Sequence, residues 1–354
     1  MFTRISSQRL PYLRRALLEW YDQNRRDLPW RNTRDPYRIW VSEIMLQQTR
    51  VAAVLPRYGK FLQRFPSTEK LASARVASVL AEWSGLGYYR RARNLHAAAK
   101  VIMHEFAGKF PDHSDEWRKL PGIGRYTAAA IASISLEEPV AVLDGNVDRV
   151  LRRLLHSASS SQSLKAAQEL LDRTRPGDFN QAIMELGATA CLPGEPLCSR
   201  CPVSSFCRTR GPGELRSSKP RQRKLSVAVA LVIRGDSVFL VQRAGGERLM
   251  SGMWELPRVD SPAHDREILF TVRHSITVTN YLVSVVVRPG AANLKGKWIK
   301  KSKLDRLALT GLTKKILRKA NIIEERGPHV ARTQEPVRRK TNGSSGSRGT
   351  RPAI

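Results

Sequence analysis

The sequence predicts a multidomain chain, an all-α domain followed by a smaller α+β domain, and three observations predict it. Through residues 1 to about 190, apolar residues recur three and four apart, the spacing of helices that each bury one stripe. From Gly211 to Lys224 the chain turns rich in Pro, Gly, Ser and basic residues, the composition of a linker. Beyond that, short runs rich in valine and other β-formers take over, as strands do.

Taken in order, the helical spacing predicts helices over Leu10–Asn24, Pro36–Tyr58, Ala72–Trp83, Arg91–Phe106, Thr127–Ile134 and Val147–His156. Asp35 and Pro36 suit the cap and first residue of the second, which should run at least through Gln48. Past the linker, strands are expected over Leu225–Ile233, Val238–Gln242 and Tyr281–Arg288, with a turn at Arg234–Asp236, and one helix over Lys303–Lys319. The resulting division is a helical domain over 1–210, a linker over 211–224, an α+β domain over 225–322, and a basic tail over 323–354. The tail has too few apolar residues to bury a core, so disorder is expected there.

Charge narrows the class of partner. With 61 Lys and Arg against 31 Asp and Glu, the formal charge is +30 over 354 residues. Such a polycation concentrates on polyanions by releasing their counterions, and nucleic acid is the partner this favours. Met1–Leu10 lacks a signal-peptide core and no membrane-spanning run is present, so no membrane association is expected. The four cysteines all fall between Cys191 and Cys207. Disulfide frameworks spread their cysteines along the chain, so this cluster predicts a metal or cluster site in a reducing, cytoplasmic compartment.

The spacing Cys191-x6-Cys198-x2-Cys201-x5-Cys207 provides the four thiolates that a 4Fe–4S cubane takes. Structural zinc also takes four, though usually as two short Cys-x2–4-Cys pairs, of which only one is present. Leu120–Ala130, LPGIGRYTAAA, reads as a hairpin between helices. Gly122 and Gly124 allow positive φ and let a phosphate approach the N–H groups that open the next helix.

These two motifs, with WVSEIMLQQT at Trp40–Thr49, GLGYYRRARN at Gly85–Asn94 and LDGNVDRVL at Leu143–Leu151, resemble the MutY-type adenine DNA glycosylases of the helix-hairpin-helix, iron–sulfur superfamily. The resemblance implies a helical glycosylase domain with one 4Fe–4S cluster on the four cysteines. It implies excision of adenine opposite 8-oxoguanine or guanine in double-stranded DNA, by a monomer. Glu43 is then the general acid and Asp144 the carboxylate facing the sugar, with Tyr126 and Asn146 as polar support. On residues alone, Glu43 shares a helix face with Ile39 and Leu46, where apolar neighbours favour its protonated form. Asp144 alone reads as a helix cap. Related endonuclease III-like enzymes have a lysine where Tyr126 stands, and its amine forms a Schiff base; Tyr126 therefore implies a monofunctional enzyme.

The resemblance further assigns Arg26, Trp30, Arg31, Leu46 and Gln181 to a pocket for the extruded adenine. It assigns Gln47, Gln48, Thr49, Leu86 and Tyr88 to DNA contact, since a base must leave the stack to react. Leu231–Arg243 and Leu249–Pro257 resemble a MutT/Nudix-like domain without the magnesium-binding glutamates, which implies a reader of 8-oxoguanine and not a hydrolase. Its contact segment is Arg273–Asn280, with Thr277 or Ser275 as the hydroxyl donor. Two other readings stand beside this one: a bifunctional glycosylase/lyase, opposed by Tyr126, and a non-enzymatic iron–sulfur DNA-binding module, opposed by Glu43 and Asp144.

Overall fold

The computed structural model describes residues 5–156, 162–211, 222–244, 247, 249–259, 268–276, 278–287 and 295–324. Among these residues eleven α-helices come first: α1 Leu10–Asn24, α2 Pro36–Leu46, α3 Val51–Arg64, α4 Thr68–Ala72, α5 Val76–Glu82, α6 Arg90–Glu105, α7 Ser114–Trp117, α8 Arg125–Leu136, α9 Gly145–Leu155, α10 Ser163–Leu170 and α11 Pro176–Thr189. Asp35 starts α2 by accepting from the N–H groups of Tyr37 and Arg38. Tyr37 and every residue from Ile39 to Met45 are buried, so α2 is a central helix with only its first turn reaching solvent. It lies against α8, which lies against α11, and α11 also packs on α1 and α9. The buried aromatic residues Trp40, Trp83, Trp117, Tyr21, Phe61 and Phe179 fill the space between these helices.

Three predicted helices are interrupted. Pro36–Tyr58 splits into α2 and α3 because Gln48 adopts φ +54, a left-handed turn that no helix passes through. The apolar spacing continues across the break and so conceals it. In place of Ala72–Trp83 there are α4 and α5, and the Ala74 carbonyl between them is taken by His96 Nε2 at 2.9 Å. In place of Lys303–Lys319, a 3-10 turn over Lys301–Arg306 leads through Leu309 into α12, Gly311–Lys319. Leu309 is drawn into a parallel bridge with Trp254, and that pairing breaks the helix.

Among its described residues the C-terminal region holds eight strands: β1 Arg223–Leu231, β2 Ile233–Arg234, β3 Ser237–Gln242, β4 Trp254–Glu255, β5 Arg258–Val259, β6 Ile268–Ile276, β7 Thr279–Val287 and β8 Lys297–Lys300. One sheet has the order β5-β1-β7-β6, with β1 and β7 parallel; in the other, β3 pairs with β2, β4 and β8. Val229, Leu231, Leu240, Val283 and Val285 bury a separate core against Ile316 and Leu317 of α12. Met253 and Ala308 instead pack into the helical core, and Arg93 Nη2 donates to the Ser251 carbonyl, so the two regions are joined by contacts as well as by chain. Within the Arg273–Asn280 segment, Arg273–Ile276 end β6 and Thr279–Asn280 start β7. No helix among the described residues is long and apolar enough to cross a membrane.

Candidate active site

A cleft of about 1160 Å³ opens between the helices and the β6 end of the sheet, and its wall includes Glu43, Asp144, Tyr126 and Asn146. Glu43 sits in the last turn of buried α2 and is only 6% exposed. Burial pushes its carboxyl up to about 7; the Tyr126 hydrogen bond and Arg31 oppose the shift, while Asp144 adds to it. Tyr126 Oη donates to Glu43 Oε2 at 3.1 Å and also lies 3.1 Å from Met184 Sδ. Burial among carboxylates raises the phenol's own pKa well above its ordinary value, so Tyr126 remains a donor. Asp144 caps α9, its Oδ1 accepting from Asn146 N at 2.9 Å and Val147 N at 2.7 Å, while Oδ2 accepts from Asn146 Nδ2 at 3.1 Å. Capping and facing the cleft are therefore one arrangement, since the cap fixes where the carboxylate points.

The same cleft is lined by Arg26, Trp30, Arg31, Leu46 and Gln181. Two of these are organised by a residue the sequence reading missed. Fully buried Glu185 accepts from Arg26 Nε and Nη2 at 2.7 Å each and from Arg31 Nη2 at 2.6 Å. Although burial alone would raise its pKa, the two guanidinium groups hold it down to about 2. Gln181 and Glu185 lie one helical turn apart on α11, and that spacing was the available signal. Trp30 packs edge-on against Tyr58, ring centres 5.2 Å apart, and is both a core residue and a wall of the cleft.

Gln47, Gln48, Thr49 and Tyr88 form the rim. Tyr88 is 48% exposed, an unusual position for a large aromatic ring, and holds φ +46. Leu86 differs from expectation: its side chain is buried in the helical core and does not line the cleft. The hairpin glycines also differ from each other. Gly122 has φ +79, and a Cβ there would lie 2.5 Å from Asn94 Cβ. Gly124 has φ −90 and needs no left-handed freedom; its Cβ side is open space, which leaves the start of α8 accessible. Ser275, with neighbours His274 and Ile276, closes the cleft from the sheet side. Its hydroxyl donates to Asn280 Oδ1 at 2.6 Å. Thr277 lies outside the described residues.

Cys191, Cys198, Cys201 and Cys207 are free thiols around one small cavity that Val150, Leu154, Leu186 and Val203 also line. Burial pushes Cys201 up to about 11, with the other three thiols adding to the shift. No three His, Cys, Asp or Glu side chains among the described residues converge as ligands of one metal ion would. The all-thiol set around an apolar cavity fits the cluster. Arg149 connects this loop to the catalytic one, donating to the Cys191 carbonyl at 2.9 Å and to Asn146 Oδ1 at 3.1 Å.

Comparison with known proteins bears on what this cleft is. Residues 41–176 match the family of HhH-GPD superfamily base excision DNA repair proteins. The adenine DNA glycosylase of Buchnera aphidicola (subspecies Schizaphis graminum) is 42% identical over 257 residues, an alignment spanning 69% of this chain and 74% of that protein. The chain belongs to the adenine DNA glycosylase family. The family's mouse member is 40% identical over 80% of this chain, and the human member 48% identical over 56% of it. The chain spans 59% of the mouse protein and 39% of the human one. Among solved structures, a thermostable thymine-DNA glycosylase superposes with a TM-score of 0.54 at 28% identity, covering 57% of this chain and 97% of its own. Endonuclease III in complex with DNA, at 20% identity and TM-score 0.51, shares the helical fold.

Proposed function

We propose that this protein is a monofunctional adenine DNA glycosylase that excises adenine opposite 8-oxoguanine, and opposite guanine, from duplex DNA. The observation that carries this is Glu43, a buried carboxyl with a pKa near neutrality, hydrogen-bonded by Tyr126 in the same cleft as Asp144. Family membership supports it.

An adenine extruded from the stack enters the wall of Arg26, Arg31, Trp30 and Gln181, with Tyr88 at the rim to fill the gap. Glu43 gives its proton to adenine N7, and the bond between the sugar C1′ and N9 breaks, its electron pair leaving with the purine. The Asp144 carboxylate faces the positive charge that develops on the sugar ring. A water then adds to C1′ and its proton returns to Glu43, which restores the acid. Tyr126 keeps Glu43 oriented throughout. No lysine is among the described residues lining the cleft, so no Schiff base forms and the strand stays intact.

The four cysteines would hold one 4Fe–4S cluster, which shapes the loop joined to Asn146 through Arg149 and takes no part in bond breaking. Ser275 and His274, on the sheet side, suit a reader of the opposite base. The high positive charge suits a monomer scanning DNA in the cytoplasm.

The test is single-turnover excision on A:8-oxoguanine and A:G duplexes, read with and without hot alkali. Strand breaks should arise only after alkali, and breaks without it would point to a lyase. Absence of adenine release from either duplex by iron-replete protein would overturn the reading.

A further inference from the structure

The two rim segments, Gln47–Thr49 and Gly85–Tyr88, come from different parts of the chain, yet one side chain grips both. Arg91, on the first turn of α6, is 9% exposed. Its Nη1 donates to the carbonyls of Ile44 and Met45, at 2.7 and 2.9 Å, in the last turn of α2. Its Nη2 donates to Thr49 Oγ1 at 2.8 Å and to the Leu86 and Gly87 carbonyls at 3.2 and 3.3 Å. The guanidinium also stacks between Trp83 and Tyr88, 5.5 and 5.4 Å from their ring centres. Thr49 Oγ1 completes the tie by reaching the Leu86 carbonyl at 3.3 Å.

Both gripped segments hold a non-glycine residue in the left-handed region, Gln48 at φ +54 and Tyr88 at φ +46. Each such residue is strained and persists only where its surroundings enforce it. A buried arginine is itself costly unless its donors are satisfied; here both terminal nitrogens are satisfied, while the buried Nε has no partner among the described residues. Burial lowers the Arg91 pKa to about 10, which leaves it charged at neutral pH. Only a planar fork can bond carbonyls on two loops while its face meets two rings; an ammonium cannot.

We infer that Arg91 is the positioning residue that locks the Gln47–Thr49 and Gly85–Tyr88 segments into one rigid wedge and so sets the geometry of base extrusion. This rests on the glycosylase reading above. Arg91 touches neither the reacting bond nor Glu43, and its effect on catalysis runs through Tyr88 and Gln48.

The experiment compares wild-type protein with Arg91→Lys, Arg91→Met and the milder Thr49→Val, which removes one tie between the loops and leaves the buried charge in place. Excision is measured at saturating enzyme on a fully based A:8-oxoguanine duplex and on one with the adenine opposite an abasic gap, where less stacking must be undone. Extrusion is followed separately by the fluorescence of 2-aminopurine placed at the target position. Variants that unfold like wild type should lose roughly tenfold or more on the fully based duplex, with much less loss on the gapped one and a weaker fluorescence rise. Tyr88→Ala should add little in the Arg91→Met background, as expected for residues that act as a unit. Should the arginine variants not fold, Thr49→Val alone must show the same pattern, with Tyr88→Ala costing less in its background than in wild type. Equal losses on both duplexes, or losses that multiply, would make Arg91 a structural residue and overturn the inference. Wild-type protein that releases no adenine would instead overturn the functional reading.

Discussion

At the residue scale, the proposed mechanism needs Glu43 to hold a proton near neutral pH, and its burial makes that possible. Excision at saturating enzyme should therefore fall about tenfold per pH unit above about 7, where the acid is lost. Glu43→Gln should bind duplex normally yet lose ~100-fold or more in rate. The same burial has a cost in stability. With the folded pKa raised from 4.5 to about 7, the contribution of Glu43 is fully present below about 4.5 and is lost as pH rises through about 7. Those 2.5 units correspond to roughly 3 kcal/mol, so Glu43→Gln should melt higher than wild type at pH 8. Thermal unfolding across pH checks this, and a lower melting temperature at pH 8 would contradict it. Tyr126 is the second decisive residue. Tyr126→Lys places an amine beside Glu43 and Asp144, and borohydride should then trap a covalent DNA adduct that wild type does not form.

At the scale of elements, the hairpin ahead of α8 separates folding from binding. Gly122→Ala forces a Cβ into a left-handed site and against Asn94, so it should destabilise the fold by about 1–3 kcal/mol. Gly124→Ala meets open space with φ −90, so its melting temperature should be unchanged or slightly higher. Its methyl group would instead stand where a phosphate approaches the N–H groups of α8, and duplex affinity should drop several-fold. Equal behaviour of the two variants would show that the hairpin is not a phosphate site. In α11, one turn carries Gln181, Met184 and Glu185, so a single helix supplies part of the cleft wall, a contact to Tyr126 and the clamp on two arginines.

At the scale of the molecule, the cleft is a property of two regions together. The helices supply the acid, the second carboxylate and the rim, and β6 supplies Ser275 and His274 opposite them. Ser275→Ala should leave excision opposite guanine nearly unchanged and slow it opposite 8-oxoguanine, narrowing the preference by roughly fivefold, the value of one hydrogen bond of ~1 kcal/mol. Excision rates on the two duplexes give the ratio directly, and equal slowing of both would remove Ser275 from lesion reading. Deleting the whole C-terminal region is a harsher test, because Met253 and Ala308 are buried in the helical core. Their loss would expose apolar surface there as well as remove Ser275 and His274.

The sequence by itself determined the helical class of the first part and the β-rich change after the linker, and it singled out the four cysteines that line one cavity and the Glu43, Asp144 and Tyr126 that line one cleft. These are legible because each is local: a helix repeats its apolar stripe, a cap has its own residues, and a motif keeps fixed spacing. Where Pro36–Tyr58 breaks was not legible, since the apolar spacing runs through the turn at Gln48. The burial of Leu86, the different conformations of Gly122 and Gly124, and the roles of Glu185, Arg91 and Arg149 were also hidden. Each of those three charged residues takes its meaning from partners distant in the chain: Glu185 from arginines 154 and 159 residues away, Arg91 from the end of α2, Arg149 from Cys191. Only tertiary packing decides which charges lose their water, and that desolvation is what turns Glu43 from a helix glutamate into an acid poised near neutrality.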